Sequence, residues 1–135
     1  MKRILIVAAL GIATLVSLVG CGGTTTTRAE PASDALLQEI ASGEQEGVGM
    51  VPVRGMTVRS DDYEEAYFVA MEFSATGIDN QVGVWVTNDL DDPGMVFAVD
   101  GTAKEFAVWP DGGKTDATFT MTSDGATEAK AALSE

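Results

Sequence analysis

The chain has 135 residues, 21 of them acidic against 8 lysines and arginines, with no histidine and 1 cysteine, for a formal charge of −13. A surface of that sign repels nucleic-acid phosphates and anionic headgroups, so nucleic acid is excluded as a partner. The missing histidine removes the commonest general base and metal ligand, and a lone cysteine permits no internal disulfide.

Lys2 and Arg3 form a short positive start, and residues 4–18 are an almost unbroken apolar run without charge. That layout is a secretory leader, to be set aside from fold reasoning. The run ends in Leu18-Val19-Gly20-Cys21. This resembles the lipobox of bacterial lipoproteins, the substrates of lipoprotein signal peptidase. The resemblance covers residues 1–21. It implies diacylglyceryl attachment to the Cys21 thiol and cleavage between Gly20 and Cys21. The mature chain would then begin at Cys21, anchored by acyl chains such as palmitate at the outer face of the cell membrane. Two chains give stable anchoring where one gives only marginal binding. Loss of Lys2 and Arg3 takes the charge from −13 to −15, so the lipid should be the only strong membrane contact.

Residues 21–32, with Gly22-Gly23 and four threonines, hold no large apolar side chain and read as a flexible tether. Residues 33–47 read as a short helix and a linker, with Ser33 as N-cap, an apolar stripe of Leu36, Leu37 and Ile40, and a stop at Gly43. Residues 48–135 form the expected globular domain. Val51, Val53, Met56 and Val58 alternate as a strand, and Pro52 favours an edge. In 66–73, Tyr67, Val69, Met71 and Phe73 share one face while Ala66, Phe68 and Ala70 share the other, the pattern of a central strand covered on both sides. After a loop at 75–80, a strand at 82–88 pairs with 95–99 as a hairpin. Asp92-Pro93-Gly94 has the order of a type II turn. Thr102 and Glu105 fit a capping box opening a short helix. Thr118, Thr120 and Thr122 alternate with Phe119 and Met121 as a half-exposed strand, and 126–133 follows as a helix. The sum is an α+β domain, a small, mainly antiparallel sheet of about five strands with two or three short helices on one face.

Few residues carry chemistry. Ser74 and Ser123 have no imidazole to activate them and no Gly-x-Ser-x-Gly frame. No phosphate loop or dinucleotide fingerprint occurs, so no cofactor is expected. Asn88, Asp89, Asp91 and Asp92 could offer oxygens to calcium, but lack the spacing of an EF-hand, and an acidic hairpin loop is the ordinary reading. Asp61, Asp62, Glu64 and Glu65 could supply a carboxylate pair for glycosidase-like acid–base work, against the ordinary reading of a solvated charge run. Trp85 and Trp109 are the candidates for a ligand platform, and core packing or edge covering is the competing reading for both. Met56, Met71, Met95 and Met121 are expected in the core.

The stretches Tyr67-Phe68-Val69-Ala70, Gly83-Val84-Trp85-Val86-Thr87-Asn88, Val96-Phe97-Ala98-Val99-Asp100, Ala103-Lys104-Glu105-Phe106 and Trp109 make the body similar to small lipoproteins of high-G+C Gram-positive bacteria. That resemblance supports compartment and fold and brings no activity with it. The expectation is a non-catalytic binding or accessory module, with a protein of the envelope as a candidate partner. The alternative is a carboxylate-dependent hydrolase acting on envelope polymers.

Overall fold

The structure, a computed structural model, describes residues 28–134. The leader, Gly20, Cys21 and the tether up to residue 27 lie outside the described residues. Five strands form one antiparallel meander in the order β1-β2-β3-β4-β5: β1 Glu30–Pro31, β2 Val51–Arg59, β3 Tyr67–Ala75, β4 Ile78–Thr87 and β5 Val96–Ala98. The helices are α1 Asp34–Ala41, α2 Gly101–Phe106 and α3 Ala126–Ala132. None of the described helices is long and apolar enough to cross a membrane.

The α+β class, the antiparallel sheet and its five strands are as expected. The helices, expected on one face, divide between two. Val69, Met71, Phe73 and Trp85 pack under α1 and α2, through Leu36, Leu37, Ile40, Ala103 and Ala107. Val58, Phe68, Ala70, Val84 and Val86 pack under α3 and Phe119, through Ala126, Ala129 and Leu133. The reason is in β3 itself: both of its faces are apolar, and each must be covered. Residues 107–119 carry the chain from one side to the other, with Ala107 in the first core and Phe119 in the second.

Local chemistry explains where elements begin and end. Ser33 caps α1, its hydroxyl accepting from the Leu36 N–H at 3.2 Å. Gly43 leaves room for Trp109, whose indole ring occupies the space a Cβ there would need. The Trp109 Nε1–H donates to the Ile40 carbonyl at 2.8 Å, tying off the end of α1. The cap of α2 is Asp100 rather than Thr102. Its buried carboxylate accepts from the Ala103 N–H at 2.9 Å and also from the Val84 N–H at 3.1 Å, joining the helix to the sheet.

Four other expectations are corrected. The tether does not run to Ala32: Glu30 lies opposite Thr57, Pro31 lies opposite Met56, and the Ala32 N–H donates to the Gly55 carbonyl at 2.9 Å. Nor do 33–47 precede the domain, because α1 supplies part of its core. Residues 118–122 are not a strand. Thr118 takes φ 55°, and the N–H groups of Thr120 and Thr122 go to the hydroxyls of Ser123 and Thr120, local bonds that compete with a ladder. The β4–β5 hairpin forms, but Gly94 is not at positive φ as a type II turn requires. The Asn88 side chain organises that loop instead, accepting from the N–H groups of Gly94 and Met95. Of the methionines, Met71 is fully buried while Met95 is exposed.

Candidate functional site

The α1 and α2 helices leave one end of their sheet face uncovered. The uncovered end carries Glu30, Thr57, Arg59 and Tyr67. Register places these four on one face: Glu30 opposite Thr57, Arg59 two residues along β2, and Tyr67 opposite Arg59. There they line a groove of about 330 Å³ together with Arg28, Asp61 and Leu90. Leu90 reaches in from the β4–β5 loop and leans on the first core. The Thr57 hydroxyl is turned into the floor, donating to the Glu30 carbonyl at 3.3 Å.

Arg28 forms the back wall and gathers three carboxylates from distant parts of the chain. Its guanidinium lies 2.9 Å from Asp124, 2.8 Å from Glu128 and 3.0 Å from Asp61. The same group donates to the Arg59 carbonyl at 3.2 Å, and the Arg28 N–H donates to Glu128 at 3.1 Å. These charge-assisted bonds hold the Asp124 and Glu128 carboxyls below their ordinary range and raise the Arg28 guanidinium. Asp124 is also fixed by the Asp61 N–H at 2.8 Å. With its carboxylate so used, it does not cap α3. That helix starts instead from Gly125 at φ 100°.

Two groove charges stand without an ion-pair partner among the described residues, Glu30 and Arg59. Arg59 donates to the Glu64 carbonyl at 2.7 Å and pairs with no carboxylate among the described residues. The Tyr67 hydroxyl likewise has no hydrogen-bond partner among the described residues. Among the described residues the groove therefore presents one cation and one carboxylate without an ion-pair partner, a phenol and an apolar wall.

The residues singled out from sequence fall elsewhere, with one exception. Asp89 closes its own loop, its carboxylate accepting from the N–H groups of Asp91 at 2.8 Å and Asp92 at 3.0 Å. Those two bonds hold its carboxyl below the usual range. Among the described residues no three carboxylates, with Asp91 and Asp92 included, converge as a metal site would require. Trp85 is fully buried, edge-on to Phe73 at 6.1 Å between ring centroids, so it offers no open ring face to a ligand. Trp109 is half-buried over the end of α1. Of Asp61, Asp62, Glu64 and Glu65, only Asp61 lines the groove. Gly20 and Cys21 lie outside the described residues.

Sequence reasoning missed Arg28, Glu30 and Arg59, and assigned the first two to the tether. One signal was available: Arg28 is the only cation between the leader and Arg54 in a strongly acidic chain. No family model, curated protein or solved structure matches the chain.

Proposed function

We propose that the protein is a lipid-anchored, non-catalytic binding or accessory module at the extracytoplasmic face of the cell membrane. The Leu18-Val19-Gly20-Cys21 motif supports the anchor. The groove at the sheet's uncovered end supports the binding role, and it is the observation that carries the reading. Cys21 stands seven residues before Arg28 in the sequence. At ~3.6 Å per residue that chain spans at most about 25 Å, which keeps the groove end of the body close to the lipid surface. A hydrolase would ask Glu30 and Asp61, the two carboxylates of the groove, for acid–base work, and Asp61 is engaged by Arg28 at 3.0 Å.

The test is metabolic labelling with a clickable palmitate analogue, combined with photocrosslinking from position 90 in intact cells. The expected result is label on the wild-type chain, none on Cys21→Ser, and a discrete adduct from position 90 that a probe at exposed Lys114 does not give. An unlabelled wild-type chain sinks the anchor. Identical crosslinking from both positions sinks the groove as the working surface.

A further inference from the structure

The two groove charges without an ion-pair partner among the described residues are of opposite sign, share one face of the sheet and do not pair with each other. Glu30 lies directly across from Thr57, and Arg59 is two residues further along β2, a diagonal separation of about 7–8 Å at the backbone. Arg59 instead donates to the Glu64 carbonyl of the β2–β3 turn at 2.7 Å. Arg28 is shared by Asp61, Asp124 and Glu128, so that cluster has more negative than positive charge and adds to the acidic surround rather than supplying a second free cation.

The field around the groove decides which ligands fit. The β2–β3 turn carries Asp61, Asp62, Glu64 and Glu65, and the β4–β5 loop carries Asp89, Asp91 and Asp92 at the same end of the sheet. A ligand with net negative charge is repelled by that surround. A purely cationic ligand leaves the Arg59 guanidinium facing it. A molecule carrying both charges and no net charge meets neither objection. The volume of about 330 Å³ lies at the small end of the range for small-molecule sites.

We propose that the groove binds a small zwitterion, a free amino acid or a dipeptide, with its carboxylate on the Arg59 guanidinium N–H groups that the Glu64 carbonyl leaves free and its ammonium on Glu30. The Tyr67 hydroxyl gives the carboxylate a second donor, and an apolar side chain of the ligand lies against Leu90 and the Tyr67 ring. This deepens the binding-module reading and rests on it.

The experiment is calorimetric titration of the purified, lipidated protein in detergent with L-leucine, L-phenylalanine and L-alanyl-L-leucine. N-acetyl-leucine, which lacks the ammonium, and leucine amide, which lacks the carboxylate, are titrated in parallel. At least one of the three zwitterions is expected to saturate, with each blocked analogue weaker by about tenfold or more, the loss expected for removing one charged hydrogen-bonded group. Arg59→Gln and Glu30→Gln should each weaken the zwitterion by a similar factor with an unchanged melt, and Lys114→Gln should not. Glu30→Gln should bring the zwitterion close to N-acetyl-leucine in affinity. No heat from any zwitterion, equal binding of the blocked analogues, or indifference to both groove variants overturns the proposal. If all three zwitterions fail while the position-90 crosslink persists, the ligand class is wrong and the module reading stands.

Discussion

Arg28 joins three sequence-distant elements through one side chain: the chain leading into β1, the β2–β3 turn through Asp61, and α3 through Asp124 and Glu128. The group is about one-third exposed, so solvent screens each pair, and the set is worth about 1–2 kcal/mol rather than the sum of three buried bridges. Arg28→Gln should lower the stability of the folded body by that amount at pH 7, read by urea denaturation. The pH dependence follows from the depressed carboxyls. Asp124 and Glu128 titrate below their ordinary 3.8 and 4.5 in the folded protein. The folded state therefore binds fewer protons than the unfolded one across this window, and stability rises with pH. The wild-type advantage over Arg28→Gln should be complete above about pH 5. It should vanish as pH falls through the depressed values and both carboxylates are neutralised. A gap that is constant from pH 7 to pH 3 would mean that these carboxylates are not what Arg28 stabilises. Asp100 makes a second test at this scale. Asp100→Ala leaves the Val84 and Ala103 N–H groups without their acceptor and should cost about 2–4 kcal/mol, while Asp100→Asn, which keeps an acceptor oxygen, should cost less. Equal losses in thermal melts of the two variants would show that the acceptor is not the reason for the residue.

At the scale of the element, β3 is the strand both cores depend on. Phe68 and Ala70 face α3, while Val69, Met71 and Phe73 face α1 and α2, and all five are fully buried. An aspartate at Val69 or Phe73 would bury an unpaired charge, and either substitution should abolish the cooperative melt followed by circular dichroism. A melt unchanged by Val69→Asp would displace β3 from the centre. The helices attach less broadly. The α3 helix has no side-chain cap at its start, and its hold on the body comes from Ala126, Ala129 and Leu133 and from the Arg28 pairs. Rings meet around Phe119 in the second core: it lies 4.7 Å from Tyr63 and 6.1 Å from both Phe68 and Phe97 between centroids.

For the whole molecule, charge and attachment point act together. Arg28, the first described residue, lies at the same end of the sheet as the acidic β2–β3 and β4–β5 loops. A body so oriented is pushed away from an anionic bilayer while a lipid on Cys21 would hold it near. The body of residues 22–135, without leader or Cys21, should therefore fail to co-sediment with vesicles rich in phosphatidylglycerol at low or physiological salt. Binding that weakens as salt rises would reveal a basic contact surface that the charge distribution does not provide.

How much of this was legible in the chain depends on the range of the interactions involved. The apolar alternation of 66–73, the cap at Ser33, the β4–β5 hairpin and the α+β class are set by neighbours a few residues apart, and the sequence by itself determined them. The absence of histidine and the acidic balance likewise determined which chemistries were set aside. Only the tertiary structure decided the rest, because it depends on contacts between residues far apart in the chain. Arg28 is an unremarkable residue after a threonine tract until Asp124 and Glu128, about a hundred positions away, converge on it. Thr118 to Thr122 alternates like a strand, yet hydroxyl–backbone bonds and the need to set Phe119 over the second core bend it out of any ladder. The groove has no local signature at all. It exists because two helices stop short of one end of a sheet face and because register then lines up Glu30, Thr57, Arg59 and Tyr67, four residues from three strands of which only Thr57 and Arg59 are related by the strand period.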